Sequence, residues 1–104
     1  MNLQFAIGRL GVVMTEVTLT ITNQVGLHAR PAAAFYKKSR EFKSKITIQN
    51  LSRPESKEVP VSPFYLLQLG VAQGHNVRVR ADGEDEQAAI DALTLLVKEN
   101  FGEM

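Results

Sequence analysis

The chain has no cysteine and no tryptophan, and only two histidines among 104 residues. Without cysteine there is no disulfide framework and no thiolate to serve as nucleophile or metal ligand. The histidines stand apart at positions 28 and 75, so a structural zinc site lacks a ligand set and no metal is expected. An excess of one charge is also missing. Twelve Lys+Arg against 11 Asp+Glu leave a formal net charge of +1, which offers no global attraction for nucleic acid or an anionic membrane.

Long apolar runs are absent too. The first thirteen residues, MNLQFAIGRLGVV, hold an uncharged run of eight that ends at Arg9, too short to cross a bilayer. They lack the basic start and small-residue cleavage site of a secretory leader. They read as an N-terminal extension, as an edge strand over residues 3–7, or as sequence upstream of a true start at Met14, with the main domain spanning 14–104. No G-x-S-x-G elbow and no Walker-type loop occurs, so neither a serine hydrolase nor nucleotide binding is expected. What remains, 44% hydrophobic and 22% charged, is the composition of a globular domain able to bury its own core.

The periodicity supplies the elements. Val17, Leu19 and Ile21 alternate with Thr18, Thr20 and Thr22, as a half-buried strand requires. After a break at Asn23–Gly26, Pro31 suits a first helical turn, and Ala32, Phe35, Tyr36 and Ser39 share one helical face. Ile46 and Ile48 mark a second strand, and NLSRPESKE over 50–58 reads as a long turn. Val59 and Val61 flank Pro60 in a short strand, which the proline confines to an edge or a bulge.

Ser62 as N-cap and Pro63 as first residue open a helix of roughly ten residues, stopped by Gly74, with Leu66, Leu67, Gly70 and Val71 as its buried stripe. Val77, Val79 and Ala81 point inward from a fourth strand, and Arg78 and Arg80 point outward. A last helix opens near Asp85 and buries Ala89, Ile90, Leu93, Leu96 and Val97. The order β-α-β-β-α-β-α, with alternating strands and singly striped helices, gives a two-layer α/β (α+β) sandwich: an antiparallel sheet with three helices on one face.

His28 stands just before the first helical turn, next to N–H groups without an intrahelical partner, where an anion is favoured. A neutral imidazole there can act as a nucleophile, and Arg30 carries a guanidinium fork that suits phosphate oxygens. Gly26 clears side-chain bulk from the approach. These residues suit a histidine that takes up a phosphoryl group and gives it away; an exposed loop histidine beside a solubilising arginine fits the same spacing. His75, in QGHN, reads as a surface turn residue. Ser62 reads as a helix cap, or as a site for regulatory phosphorylation. Phe64 and Tyr65 either pack inward or form part of a docking surface. Arg78 and Arg80 come without an aromatic ladder or binding signature, so nucleic acid is not expected as a partner.

GLHARPAAAF, in register with SPFYLLQLGVAQG and VRVRADGEDEQAAIDAL, resembles the histidine-containing phosphocarrier (HPr) family of the bacterial phosphoenolpyruvate-dependent phosphotransferase system. The likeness runs from Met14 to Glu103. It implies a four-stranded open-faced sandwich of strand order 1-4-2-3, phosphorylation of His28 on Nδ1, charge neutralisation by Arg30, and phosphate binding by the backbone at Ala29 and Arg30. It implies docking through Pro63, Phe64 and Leu67, and Ser62 at the position modified by a serine kinase/phosphorylase in many relatives.

The implied partners are the donor Enzyme I and sugar-specific Enzyme IIA domains, and the implied protein is a cytoplasmic, cofactor-free monomer serving sugar transport. It would be a carrier within a relay rather than a stand-alone enzyme. Four departures from the family pattern stand out: Val25 where a small polar residue is usual, a longer turn at 50–58, Pro60 within a strand, and Val61 and Pro63 around the serine. Val25 keeps a second reading open, that of a non-catalytic regulatory or protein-interaction module with the same fold.

Overall fold

The computed structural model describes residues 4–9 and 12–102, with side chains from Met14 onward. The strands are β1 (Gln4–Arg9), β2 (Val12–Thr20), β3 (Lys45–Asn50), β4 (Val59–Pro60) and β5 (Asn76–Asp82). The helices are α1 (Ala29–Ser39), α2 (Pro63–Gln68) and α3 (Glu86–Lys98), and a single 3-10 turn, Asn100–Gly102, follows. The sheet runs β1-β2-β5-β3-β4, every neighbouring pair antiparallel. The four strands expected from periodicity are β2, β3, β4 and β5, and their order is 1-4-2-3. β1 adds a fifth strand at the edge beside β2, pairing Gln4 with Glu16 and Ile7 with Val13. A boundary drawn at Met14 therefore falls inside β2.

Alternation decides which face of the sheet is covered. Leu19, Ile46, Ile48, Val77, Val79 and Ala81 are buried and join Ala32 and Phe35 of α1, Leu66 of α2, and Ala89, Ile90, Leu93 and Val97 of α3 in one core. The opposite face carries a polar network. Arg80 is bonded to Glu16 and Glu58, each at 3.0 Å, and Arg78 donates to Gln49 at 2.8 Å. β4 holds two residues and is outermost, so Pro60 sits where a missing N–H is tolerated.

α2 is shorter than its sequence suggests. It ends at Gln68, and Gly70, not Gly74, takes the left-handed backbone that closes it (φ +63°). A side chain at Gly70 would start 2.2 Å from the Arg53 guanidinium, which lies across that position from the 51–58 turn. Of the expected stripe, Leu66 and Val71 are buried, Leu69 joins them, and Leu67 and Gly70 are exposed. Leu96 of α3 is half-buried against the core.

Asp85, just before α3, ties that helix to the sheet. Its carboxylate accepts the Lys43 amide at 2.7 Å, the Ser44 amide at 2.9 Å and the Ser44 hydroxyl. The Ser44 hydroxyl first, and then the Lys43 amide, hold the carboxyl below the usual aspartate range. A depressed carboxyl stabilises the fold fully above its unfolded value and loses that effect as pH falls through the folded one. Thermal melts should therefore show a weaker acid dependence for Asp85→Asn than for wild type below about pH 4. Identical acid limbs for the two proteins would contradict this role.

Candidate functional site

The site is assembled around the start of α1. His28 is the residue immediately before the helix, extended at φ −102° and ψ −162°, and its carbonyl accepts the Ala32 amide at 2.8 Å. Its side chain makes no capping bond and is exposed, so the ring is free to meet a ligand. The amides of Ala29 and Arg30 open the helix and have no acceptor within it; Pro31 has none to offer. No acidic residue occupies the first turn, so the positive end of the helix is not compensated by a side chain.

The loop that presents His28 is held from below. Gly26 has φ +65°, and a Cβ there would stand 2.2 Å from the Val71 carbonyl oxygen and 2.9 Å from Ala72 Cα. The requirement for glycine thus comes from backbone contact and from the left-handed conformation, not from access to the ring. Leu27 donates its amide to the Val71 carbonyl at 3.0 Å. Asn23 is buried, and its side-chain amide donates to the Gly26 carbonyl at 2.8 Å while its backbone carbonyl accepts the Gly26 amide at 3.1 Å.

His28 and Arg30 line one open cleft of about 840 Å³ together with Thr22, Asn23, Gln24, Val25, Gln73 and Asn100–Gly102. The structure therefore brings the two leading candidates onto one surface. Val25 is 54% exposed and puts an apolar side chain beside them.

Sequence reasoning missed Gln73 and the segment after α3. Asn100 and Phe101 both take left-handed backbone (φ +53° and +60°), uncommon for residues with side chains. Burial of the Phe101 ring and a bond from Thr22 Oγ1 to Asn100 Oδ1 at 3.2 Å hold the turn against the loop. The apolar Phe101 between Asn100 and Gly102 was the available signal, but it names no partner across 78 residues of chain.

The other candidates fall elsewhere. Ser62 Oγ accepts the Tyr65 amide at 3.2 Å, so the serine caps α2. Phe64 and Leu67 are 64% and 49% exposed, and Phe64 meets Tyr65 edge-on at 5.6 Å between ring centroids. Pro63, Phe64 and Leu67 do not line the His28 cleft; they lie on α2, which packs beside α1. His75, expected at the surface of its turn, is half-buried and bonded through its ring. Arg80 on the open sheet face is matched by two carboxylates, which removes the excess cationic charge that phosphate-backbone binding needs. Among the described residues, no group of three or more His, Cys, Asp or Glu is placed to hold a metal ion.

A family model described as "PTS HPr component phosphorylation site" matches residues 15–99. The chain is 38% identical over 90 residues to the phosphocarrier protein HPr of Xylella fastidiosa, covering 86% of this chain and 98% of that one. It is 43% identical over 86 residues to the multiphosphoryl transfer protein of Haemophilus influenzae, where the match covers 83% of this chain but 17% of that much longer protein. Among solved structures, HPr of Thermoanaerobacter tengcongensis superposes with a TM-score of 0.76 at 42% identity, covering 86% of this chain and 97% of that one.

The contact beneath Gly26 has a measurable consequence. Gly26→Ala should lower unfolding stability by roughly 1–3 kcal/mol, from the left-handed backbone and the clash with Val71 together. Urea unfolding is the measurement; a loss under about 0.5 kcal/mol, the range of ordinary surface substitutions, would contradict the close approach.

Proposed function

The chain belongs to the HPr family of phosphotransferase-system phosphocarriers, and from that premise we propose that His28 is its phosphoacceptor and Arg30 its charge-neutralising partner. As a member of the family it is a carrier, phosphorylated and dephosphorylated stoichiometrically, and not an enzyme with a turnover of its own. The observation that supports His28 is its place: an exposed, uncapped imidazole at an uncompensated helix start, in one cleft with Arg30.

In the proposed step the lone pair of a His28 ring nitrogen, Nδ1 by resemblance, attacks the phosphorus of a donor phosphohistidine. The donor P–N bond breaks in line, and its electron pair returns to the donor imidazole. The phosphoryl oxygens then face the amides of Ala29 and Arg30 and, across the cleft, the Arg30 guanidinium. Transfer onward repeats the step with an acceptor histidine as nucleophile. Both transfers need two proteins docked closely enough to align three atoms, and the exposed Phe64 and Leu67 on α2, with Pro63, are the apolar surface for that contact.

The donor in this reading is Enzyme I, charged from phosphoenolpyruvate, and the acceptors are Enzyme IIA domains. The carrier works in the cytoplasm as a monomer, its domain the unit drawn at 14–104 together with β1 and the start of β2, which extend the same sheet before Met14. No helix among the described residues is long and apolar enough to cross a membrane. For Ser62, the cap is the role its geometry supports; modification by a serine kinase would place phosphate where Val61 and Pro63 replace the usual flanking pattern. The second reading, a binding module with poorly phosphorylated His28, draws on one observation: the exposed Val25 in the same cleft.

Intact-mass analysis after incubation with phosphoenolpyruvate and a competent Enzyme I decides between the two readings. Wild type should gain one acid-labile, alkali-stable phosphate, and His28→Ala none. Absence of phosphate on wild type with several competent donors would leave the binding module. Stopped-time transfer assays should show that Arg30→Ala slows the step by roughly 100-fold, the loss typical of one charge-stabilising donor. Phe64→Ala should instead raise the KM for the carrier and leave kcat near wild type.

A further inference from the structure

His75 lies outside the cleft, yet its ring is more firmly bonded than that of His28. Nδ1 accepts the backbone amide of Ala72 at 3.1 Å and lies 3.2 Å from Asn50 Nδ2. Asn50 is fully buried, and its amide orientation is fixed by other partners. Its Oδ1 accepts the Ser52 amide at 3.0 Å, and its Nδ2 donates to the Leu69 carbonyl at 3.0 Å, leaving the second N–H for the imidazole. Nδ1 therefore faces two donors and must present its lone pair, which makes the ring the Nε2–H tautomer. The charged side chains of the neighbouring elements take their own partners: Arg53 binds Glu55, and Arg78 binds Gln49.

The turn that His75 closes is the support of the His28 loop. Its own backbone adds a bond from the His75 amide to the Ala72 carbonyl at 3.0 Å. From this turn, Val71 accepts the Leu27 amide at 3.0 Å, and the Val71–Ala72 backbone presses on Gly26. Gly74 donates to the Ile21 carbonyl at 2.7 Å, His75 accepts the Ile21 amide at 2.9 Å, and Gln73 Nε2 donates to the Thr22 carbonyl at 3.2 Å. Both ends of the 21–27 segment, residues 21–22 and 26–27, thus rest on residues 71–75, and that turn is fastened to the buried Asn50 through one imidazole nitrogen.

We propose that His75 is a positioning residue for phosphoryl transfer. Through Nδ1 it locks the 71–75 turn onto Asn50, and the locked turn fixes the height and direction of His28 and of the two helix amides beside it. The inference rests on the reading of His28 as phosphoacceptor. The ring acts through geometry alone and touches neither phosphate nor donor. A misplacement of about 1 Å in an in-line transfer is enough to cost a large factor in rate.

The test uses the full chain with Enzyme I and phosphoenolpyruvate, and two variants. His75→Leu removes the acceptor. His75→Asn keeps an acceptor oxygen close to the position of Nδ1. His75→Leu should lower kcat for phosphorylation of His28 roughly tenfold with the KM for the carrier unchanged, because the α2 surface is untouched. It should also speed hydrogen exchange of the Leu27 amide, and His75→Asn should restore both. Nitrogen-15 NMR of the wild-type ring should report protonated Nε2 and bare Nδ1.

A folded His75→Leu protein with wild-type kcat and wild-type Leu27 exchange would overturn the proposal. So would failure of His75→Asn to rescue, or an Nδ1–H tautomer in the wild type. If His75→Leu does not fold, the tautomer and the His75→Asn kinetics still decide. If wild type takes up no phosphate at all, the carrier reading fails instead, and the tautomer and Leu27 exchange separately show whether His75 holds the loop.

Discussion

The hydrogen bond from the Leu27 amide to the Val71 carbonyl, with Gly26 pressed against the same peptide, joins the two halves of the molecule that function needs together. One half is the end of β2 and the loop into α1; the other is the turn from α2 into β5. In sequence they lie more than forty residues apart, and only the sheet order, which places β5 next to β2, makes them neighbours. The pairing of Thr20 with Asn76 at the end of that ladder delivers both segments to the same end of the sheet. The bonds between Ile21 and the Gly74–His75 segment then carry the pairing beyond the regular strands. Moving this seam would move the start of α1, and with it the helix amides and His28.

A carrier must bind its phosphoryl group well enough to keep it and weakly enough to pass it on. The site has the means for an intermediate grip. It offers two helix amides, the exposed Arg30 cation and an exposed ring, in an open cleft. Asn23, which could have added a polar side chain, is turned inward, where its amide closes the loop on Gly26. Val25 adds contact area but no hydrogen bond. An open cleft of this kind suits a reaction whose remaining catalytic groups arrive on another protein, and the proposed docking surface for it is the exposed apolar face of α2. The sheet's other face has a different character. Arg80 is matched there by Glu16 and Glu58, and Arg78 donates through one terminal nitrogen to Gln49 while its Nε is buried without a partner.

Most of the architecture was legible because it is written in short-range patterns. Alternation of Val17, Leu19 and Ile21, and of Val77, Val79 and Ala81, specifies both a strand and the face it buries. Pro60 marks an edge strand for a reason internal to proline. The length of α2 was not legible, since Gly70 and Gly74 both take left-handed backbone and either could end the helix. Gly70 comes first and takes the left-handed turn at the helix end, with the movable Arg53 guanidinium, from a turn seventeen residues earlier, lying over it. The strand order came from resemblance, because periodicity determines faces and leaves neighbours open.

The site divides along the same line. His28, Arg30 and the helix start lie within three residues of one another, so their chemistry could be read from adjacency. Apart from Asn23, what supports them comes from a distance: Val71 beneath Gly26, Gln73 on Thr22, Asn100 on Thr22 and Asn50 on His75. Each of these roles depends on a partner that local sequence does not name. His75 is the clearest case. In QGHN it has no ligand, no carboxylate and no helix to lean on, and it reads as a turn residue. Folding brings a buried carboxamide to its Nδ1, and the same ring becomes the fastening of the turn on which the His28 loop rests. Reactive groups can be recognised in a short string of sequence because chemistry acts over a few ångströms. The precision with which they are held is a property of the whole sheet, and it becomes visible only once the strands have been put in order.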